Sequence, residues 1–481
     1  MKALAVAALA LCLPATHALA AIATYVVSYS GGKTVDVRAH LPAGDGRLLI
    51  GQGGGIDHLP AQWATFAKDI RVTTAGGMAV SVTARGAEGW SLSTGDEIDV
   101  RYSVDLAYAI ETWPAGNEQS GRRFADGTLF TRTKPLFFYT SGVTDASVEF
   151  DVPKGWKVAA PWTRRGDSYE AAGVRSLTEN SIVLGRFPST ELRVGNFDVT
   201  VATPGEERPP VKLAAALRQL GSEAGRLFAG TPPGRYVLTF FRAGEEDGES
   251  YESSAALTSP LPFDDASMIV TGNTVVHELL HHWFGGMIAP VEHDSIAWFT
   301  EGFTEYYANV MLSRSGAVPP RLMRAKLTNM ASGYLYFMNS SLFKGVTLAD
   351  AVQKKGAYRF GVYNGGWAVA LSLDVMLRSE SQGKRSLDDV VRLLFTRFGQ
   401  TGTPIAEKDI IAAASEVAGR DLQPFFDRYV HARNDLPLAE TLQKLGLELR
   451  GQPYAGDMYL VEVPTPSAAQ RALRTSLLGA E

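Results

Sequence analysis

The hydrophobic pattern of the chain changes period once, at Pro209-Pro210, and a chain with two periods must fold in two parts. From Ala21 to about Pro204, apolar and polar residues alternate in runs such as TYVVSYS, KTVDVRAH, MAVSVTAR, EIDVRYSV and SVEFDVP, separated by Gly, Asp, Asn and Pro clusters. A period of two buries one face of a strand, so this half predicts a β-sandwich. The exception is Pro60 to Ile70, where apolar residues three and four apart predict one short helix. After the prolines, Val211 to Phe228 has the spacing of an amphipathic helix, and RYVLTFFR at Arg235 to Arg242 reads as a strand. From Met268 to about Leu447 nearly every segment has helical spacing. The expectation is an α+β, multidomain chain: a β domain over 21–205, a mainly helical domain over 206–447, and a tail over 448–481. That tail holds one strand, MYLVEV, and an Ala-rich end that docks or frays.

The 481 residues are 45% hydrophobic and 20% charged, which is enough to bury a core and excludes general disorder. Lys+Arg number 46 against 51 Asp+Glu, with no long basic run, so nothing points to nucleic acid or an anionic membrane as partner. Residues 1–20 have the layout of a secretory signal peptide: Lys2, an apolar stretch from Ala3 to Leu13, then Ala18-Leu19-Ala20, with cleavage expected after Ala20. Cys12, the one cysteine, lies in that segment, so the mature chain is expected to use no disulfide. The location expected is periplasmic or secreted. No later segment reaches about 18 unbroken apolar residues, so no stable membrane insertion is expected after cleavage.

Four of the eight histidines fall between positions 277 and 293, and two of them form His277-Glu278-Leu279-Leu280-His281. On a helix, positions i and i+4 share a face, so His277 and His281 both present an imidazole to one metal while Glu278 projects beside it. The flanks are apolar before the motif and aromatic after it, and buried imidazoles and a carboxylate need the partner that a cation provides. The expected cofactor is one Zn2+ per chain. Catalytic zinc keeps three protein ligands and an open position for water; Glu301, in WFTEGFTEYY and separated from His281 by 19 residues, is the candidate third ligand. Glu305 follows one turn later and reads more readily as a solvated helix carboxylate than as support for a ligand. His282 points off the ligand face and His293 lies in a connecting loop, so neither is assigned a role.

HELLHHWFGG followed by WFTEGFTEYY resembles the gluzincin zinc peptidases, which include the aminopeptidase N and glycyl aminopeptidase families. The nearer likeness is to the glycyl aminopeptidases, through EGFTEYY, Tyr363-Asn364-Gly365-Gly366, SLDDVVRLLF, DLQPFFDRYV and DLPL in that order, and through KPLFFYTSG and VPKGWKVAAPW earlier. It runs from about Glu97 to Leu447. The chain departs from it in three places. The spacer before Glu301 is longer than is usual in aminopeptidase N relatives and shorter than in glycyl aminopeptidases, Gly365 stands where the glycyl pattern has Lys, and the residues after Leu447 are too few for the PDZ domain that members commonly add.

The resemblance implies a thermolysin-like catalytic domain acting on peptide substrates, with Glu278 as the base that takes a proton from water and returns it to the leaving amine. It implies that Tyr363 donates a hydrogen bond to the oxyanion, although Tyr358 lies close by. An acidic residue in DGESYESSAAL would bind a free amino terminus, and either Glu249 or Glu252 fits that place. An aminopeptidase preferring small first residues is the first reading, with an endopeptidase or a non-catalytic binding protein of the same fold as alternatives; oligomeric state is not readable. GQGGG at Gly51 to Gly55 lacks the spacing of a phosphate loop and reads as a turn.

Overall fold

The computed structural model describes residues 22–479 apart from 54–55, 57–58, 106–120, 206–210, 263, 265, 293 and 452–457. The leader over 1–20, Pro209-Pro210, part of GQGGG, and His293 therefore lie outside the described residues.

The alternating half builds two facing sheets, beside a small one of Arg47–Leu48, Trp90–Leu92 and Val82–Ala84. Seven strands lie in the spatial order Thr163–Arg165, Ser168–Ala171, Asp145–Asp151, Ile22–Ser28, Thr34–Leu41, Ile98–Asp105 and Ala67–Thr74. Four more follow the order Lys157–Ala159, Ser181–Gly185, Leu129–Arg132 and Gly121–Arg123. Tyr25, Val37, Val100 and Val148 of the first sheet share a core with Leu129, Ile182 and Leu184 of the second, as a sandwich requires. The second sheet is also covered on its other face, where Phe130 and Val183 pack against Val237, Phe241 and Ala256 of a third sheet.

That third sheet carries the helical half, and its strands come from both sides of the expected domain border. They are β1 (Ser189–Val194), β2 (Phe197–Ala202), β3 (Gly234–Arg242), β4 (Asp247–Ser250) and β5 (Ser254–Ser259), in the spatial order β1-β2-β3-β5-β4. β2 pairs in parallel with β3 from Phe197↔Gly234 to Ala202↔Thr239, so the sheet spans residue 205 and its own border lies before Ser189. Alternation shows that a segment is a strand and not which sheet it joins. Between β2 and β3 runs helix α1 (Val211–Leu227), whose Leu213, Leu217 and Leu220 share a core with Leu192 and Val199.

Other local expectations shift. The short helix expected within Pro60–Ile70 is present as a five-residue 3-10 helix, Gln62–Phe66, and ends where the strand Ala67–Thr74 begins on the edge of the first sheet. Trp63 and Phe66, three apart on that helix, are both buried. A short helix, Gly173–Thr178, appears where no helical period is visible. The Ala-rich end docks: α6 (Ala468–Leu478) places Arg474 on Glu462, 2.6 Å away, and the Leu477 carbonyl accepts from Arg314. No described helix is long and apolar enough to cross a membrane.

The helices that frame the remaining chemistry are α2 (Asn273–Leu280), α3 (Gly302–Arg314), α4 (Pro320–Asn339) and α5 (Gly366–Glu380). α3 and α5 meet backbone to backbone at their first residues. A Cβ on Gly302 would lie 2.3 Å from the Gly366 Cα, and a Cβ on Gly366 would lie 1.9 Å from the Trp298 carbonyl oxygen. Trp298, Phe299, Phe303 and Trp367 close around this contact. Glu301 immediately precedes α3 and Tyr363 lies three residues before the start of α5, so the glycine contact constrains how far apart they are. Gly366→Ala is expected to lower stability by about 1–3 kcal/mol, read as a lower urea midpoint at unchanged slope.

Candidate active site

α2 is apolar on the side that meets the sheet, through Val275, Val276, Leu279 and Leu280, which leaves its other side to His277, Glu278 and His281. Glu301 enters from the break between the short helix Ala297–Thr300 and α3. Its Oε2 lies 3.3 Å from His277 Nε2 and 3.2 Å from His281 Nε2, and the two Nε2 atoms are 3.0 Å apart. Each imidazole is held from behind: His277 Nδ1 is 3.0 Å from Glu305 Oε2, and His281 Nδ1 is 3.1 Å from the Phe284 carbonyl oxygen. With both Nδ1 atoms donating, loss of the Nε2 proton as a cation enters would turn both Nε2 lone pairs toward the Glu301 oxygen. Tetrahedral zinc at about 2.1 Å from N or O ligands separates its donors by about 3.4 Å, so the triangle fits zinc with little adjustment.

Electrostatics agree with that fit. His277, Glu278, Glu301 and Glu305 are each only 5–7% exposed. Burial disfavours the charged imidazole of His277, yet its hydrogen bonds to Glu301 and Glu305 and the charge of Glu278 push it up to about 10. Burial likewise opposes the Glu301 carboxylate, but His281, His277 and Lys355 hold it well below the usual range. The pocket attracts positive charge.

Glu278 stands beside the triangle, its carboxylate within 4.8 Å of the imidazole nitrogens. The edge strand β4 lies on it so closely that a Cβ on Gly248 would be 2.6 Å from Glu278 Oε1, and only glycine permits that approach. Burial pushes the Glu278 carboxyl up, against the two histidines, as suits a proton acceptor working near neutral pH. Tyr363 sits in a π-helical turn, Phe360–Gly365, just before α5, with its ring stacked 6.0 Å from that of His277. Burial and the charges of Glu301 and Glu278 raise its hydroxyl, so it remains a donor. Tyr358 instead packs its ring on Phe343, which separates the two tyrosines.

Three expectations change. Glu305 is not solvated: besides His277 it accepts from Asn273 and Asn309 at 3.1–3.2 Å and from Lys326 Nζ at 3.0 Å. Burial opposes its charge, and Lys326 and His277 overcome that and lower it. Glu249 is adjacent to Gly248 on a strand, so its side chain takes the opposite face, where it pairs with the buried Arg132 instead of facing the triangle. Arg132 is itself flanked by the rings of Trp63 and Tyr251. Glu252 keeps an unpartnered buried Oε2; burial raises its carboxyl, and Arg175 and Glu179 are its charged neighbours. Its carbonyl oxygen accepts from His282 Nδ1 at 3.1 Å, which gives His282 a structural task. The sequence reading missed Lys355, whose Nζ lies 2.5 Å from Glu301 Oε1. The only local signal is a lysine pair eight residues before Tyr363, and nothing in the pair points to the site.

Residues 250–429 match the model of the Peptidase family M1 domain. No curated protein sequence matches the chain. Among solved structures, the chain resembles an aminopeptidase N family protein from Idiomarina loihiensis, with a TM-score of 0.71 and 19% identity over 90% of this chain and 79% of that one. It also resembles the M1 zinc metallopeptidase from Deinococcus radiodurans, with a TM-score of 0.52 and 14% identity over 87% of this chain and 94% of that one. A mutant of that enzyme is bound to a Tyr-ser-ala substrate, and a mutant two domain M1 zinc metallopeptidase is bound to L-tryptophan. At these identities the structural likeness establishes the fold.

Two measurements test the site's outer support. Glu305→Gln is expected to weaken zinc binding about 10–100-fold in a chelator competition, because it removes the charge behind His277. Burial lowers His282 to about 4. The unfolded chain takes up this proton near 6.5 and the folded chain near 4, so stability falls as pH drops through that window, by about 3 kcal/mol in all. In His282→Phe, the acid-side slope of the unfolding midpoint between pH 6.5 and 4 is expected to be shallower than in the parent.

Proposed function

We propose, for a chain that carries a Peptidase family M1 domain and is a zinc-dependent hydrolase with Zn2+ as its cofactor, that it is an exported aminopeptidase removing the first residue of peptides. The observation that carries this reading is the triangle of His277, His281 and Glu301 with Glu278 buried beside it under Gly248. Zinc held by His277, His281 and Glu301 would supply Lewis acidity toward water and the scissile carbonyl. Glu278 takes the proton of the attacking water and returns it to the departing amine, its raised affinity for protons serving both transfers. Tyr363 donates to the carbonyl oxygen as negative charge builds there.

The choice of an aminopeptidase rests on two supports. Relatives of this fold hold single amino acids, and the segment after β4 offers an acid for an α-ammonium group. With Glu249 paired to Arg132, that acid is Glu252, whose buried Oε2 lacks a hydrogen-bond partner. A preference for small first residues rests on the motif likeness to glycyl aminopeptidases alone. Export rests on residues 1–20, and sequencing the N-terminus of protein recovered from the expressing cells is expected to begin at Ala21.

The decisive comparison sets the parent against Glu278→Gln on free-amino and N-blocked peptides, with zinc measured in both. About one zinc per chain in each is expected, with kcat lower by about 10²–10⁴ in the variant. Glu252→Gln is expected to raise KM at least about tenfold for free-amino peptides, in line with the loss of a charged hydrogen bond. Equal cleavage of N-blocked peptides makes the protein an endopeptidase. Zinc without cleavage makes it a binding protein.

A further inference from the structure

Glu301 has two oxygens, and the structure gives them different tasks. Oε2 faces both imidazoles, whereas Oε1 lies 2.5 Å from Lys355 Nζ. Lys355 follows the turn Val352–Lys354 and also reaches Asp294 Oδ1, 3.7 Å away in the segment between α2 and α3. Its ammonium lies 6.0 Å from the centre of the Tyr363 ring. The lysine is thus tied to the third donor, to the chain leading into it and to the edge of the tyrosine.

A carboxylate that turns both oxygens toward a zinc ion occupies an additional coordination position, while a catalytic site must leave one open for water. A charge-assisted hydrogen bond to one oxygen opposes that turn and is stronger than a neutral one. Glu301 is enclosed, so no water competes freely for Oε1. We propose that Lys355 is a positioning residue that restricts Glu301 to one oxygen, so that a bound ion with its water would be four-coordinate, where a two-oxygen Glu301 would make it five-coordinate and a weaker Lewis acid. The inference rests on Glu301 being a zinc ligand, as the proposed function has it.

The test uses the full chain with zinc and, separately, with cobalt in its place, because cobalt absorbs more weakly in the visible when five-coordinate than when four-coordinate. Lys355→Met removes the ammonium and keeps the stem; Lys354→Met removes the same charge from the exposed neighbour. Lys355→Met is expected to bind one metal per chain, to lose at least tenfold in kcat at unchanged KM, and to show the weaker visible absorption. Lys354→Met is expected to match the parent in all three, and unfolding midpoints establish that each variant is folded. A Lys355→Met protein with kcat within twofold of the parent, or with the parent's cobalt spectrum, overturns the inference alone. A Glu301→Ala protein that holds zinc as tightly as the parent overturns the ligand assignment, and this inference with it.

Discussion

A carboxylate and two imidazole lone pairs converge on one point in a region from which water is nearly excluded. Such a grouping is unfavourable unless a positive charge sits among the donors, and the helical half is arranged around that requirement. Lys326 stands behind Glu305, Lys355 behind Glu301, and both imidazoles direct their remaining N–H groups at acceptors. The charges surrounding the site are therefore as much a part of it as the donors.

Rigid placement of these groups comes from apolar packing with an unusual dimension at its centre. Gly302 and Gly366 let two helices approach closer than any side chain allows, and the indoles of Trp298 and Trp367 fill the flanks. The consequence is that Glu301 and Tyr363, 62 positions apart in sequence, lie on opposite ends of a single contact. Gly248 plays the same part on the sheet side by letting β4 rest on Glu278.

What the sequence disclosed follows from how local each signal is. His277, Glu278 and His281 fall within five consecutive positions at the end of α2, with His281 as its cap, and α2 needs no distant information to present them. Glu301 was reachable through its motif. Glu305 was misread because α3 is buried on every side from Gly302 to Leu312, so no polar stripe marks which carboxylate faces water. Lys355 has no periodic or motif signal, since its role exists only once the turn over Val352–Lys354 meets the segment before α3. Glu249 faces away from Glu278 by strand parity with Gly248, and Glu252 lies in the turn between β4 and β5, so neither placement is legible before the contact of Gly248 with Glu278 is known. The helix expected over Pro60–Ile70 is shorter than its apolar spacing suggests, because Ala67 begins a strand whose pairing partner is distant in sequence.

The continuity of the third sheet bears on how this protein can be taken apart. Cutting at 205 would strip β1 and β2 from the helical half, leaving β3 as a bare edge able to template pairing with other chains. It would also uncover the face of α1 that packs on Leu192 and Val199. The two halves therefore do not behave as interchangeable modules separated by a linker. Any recombination between relatives that preserves solubility has to cross over near Arg186–Pro188, ahead of the strands that belong to the catalytic sheet.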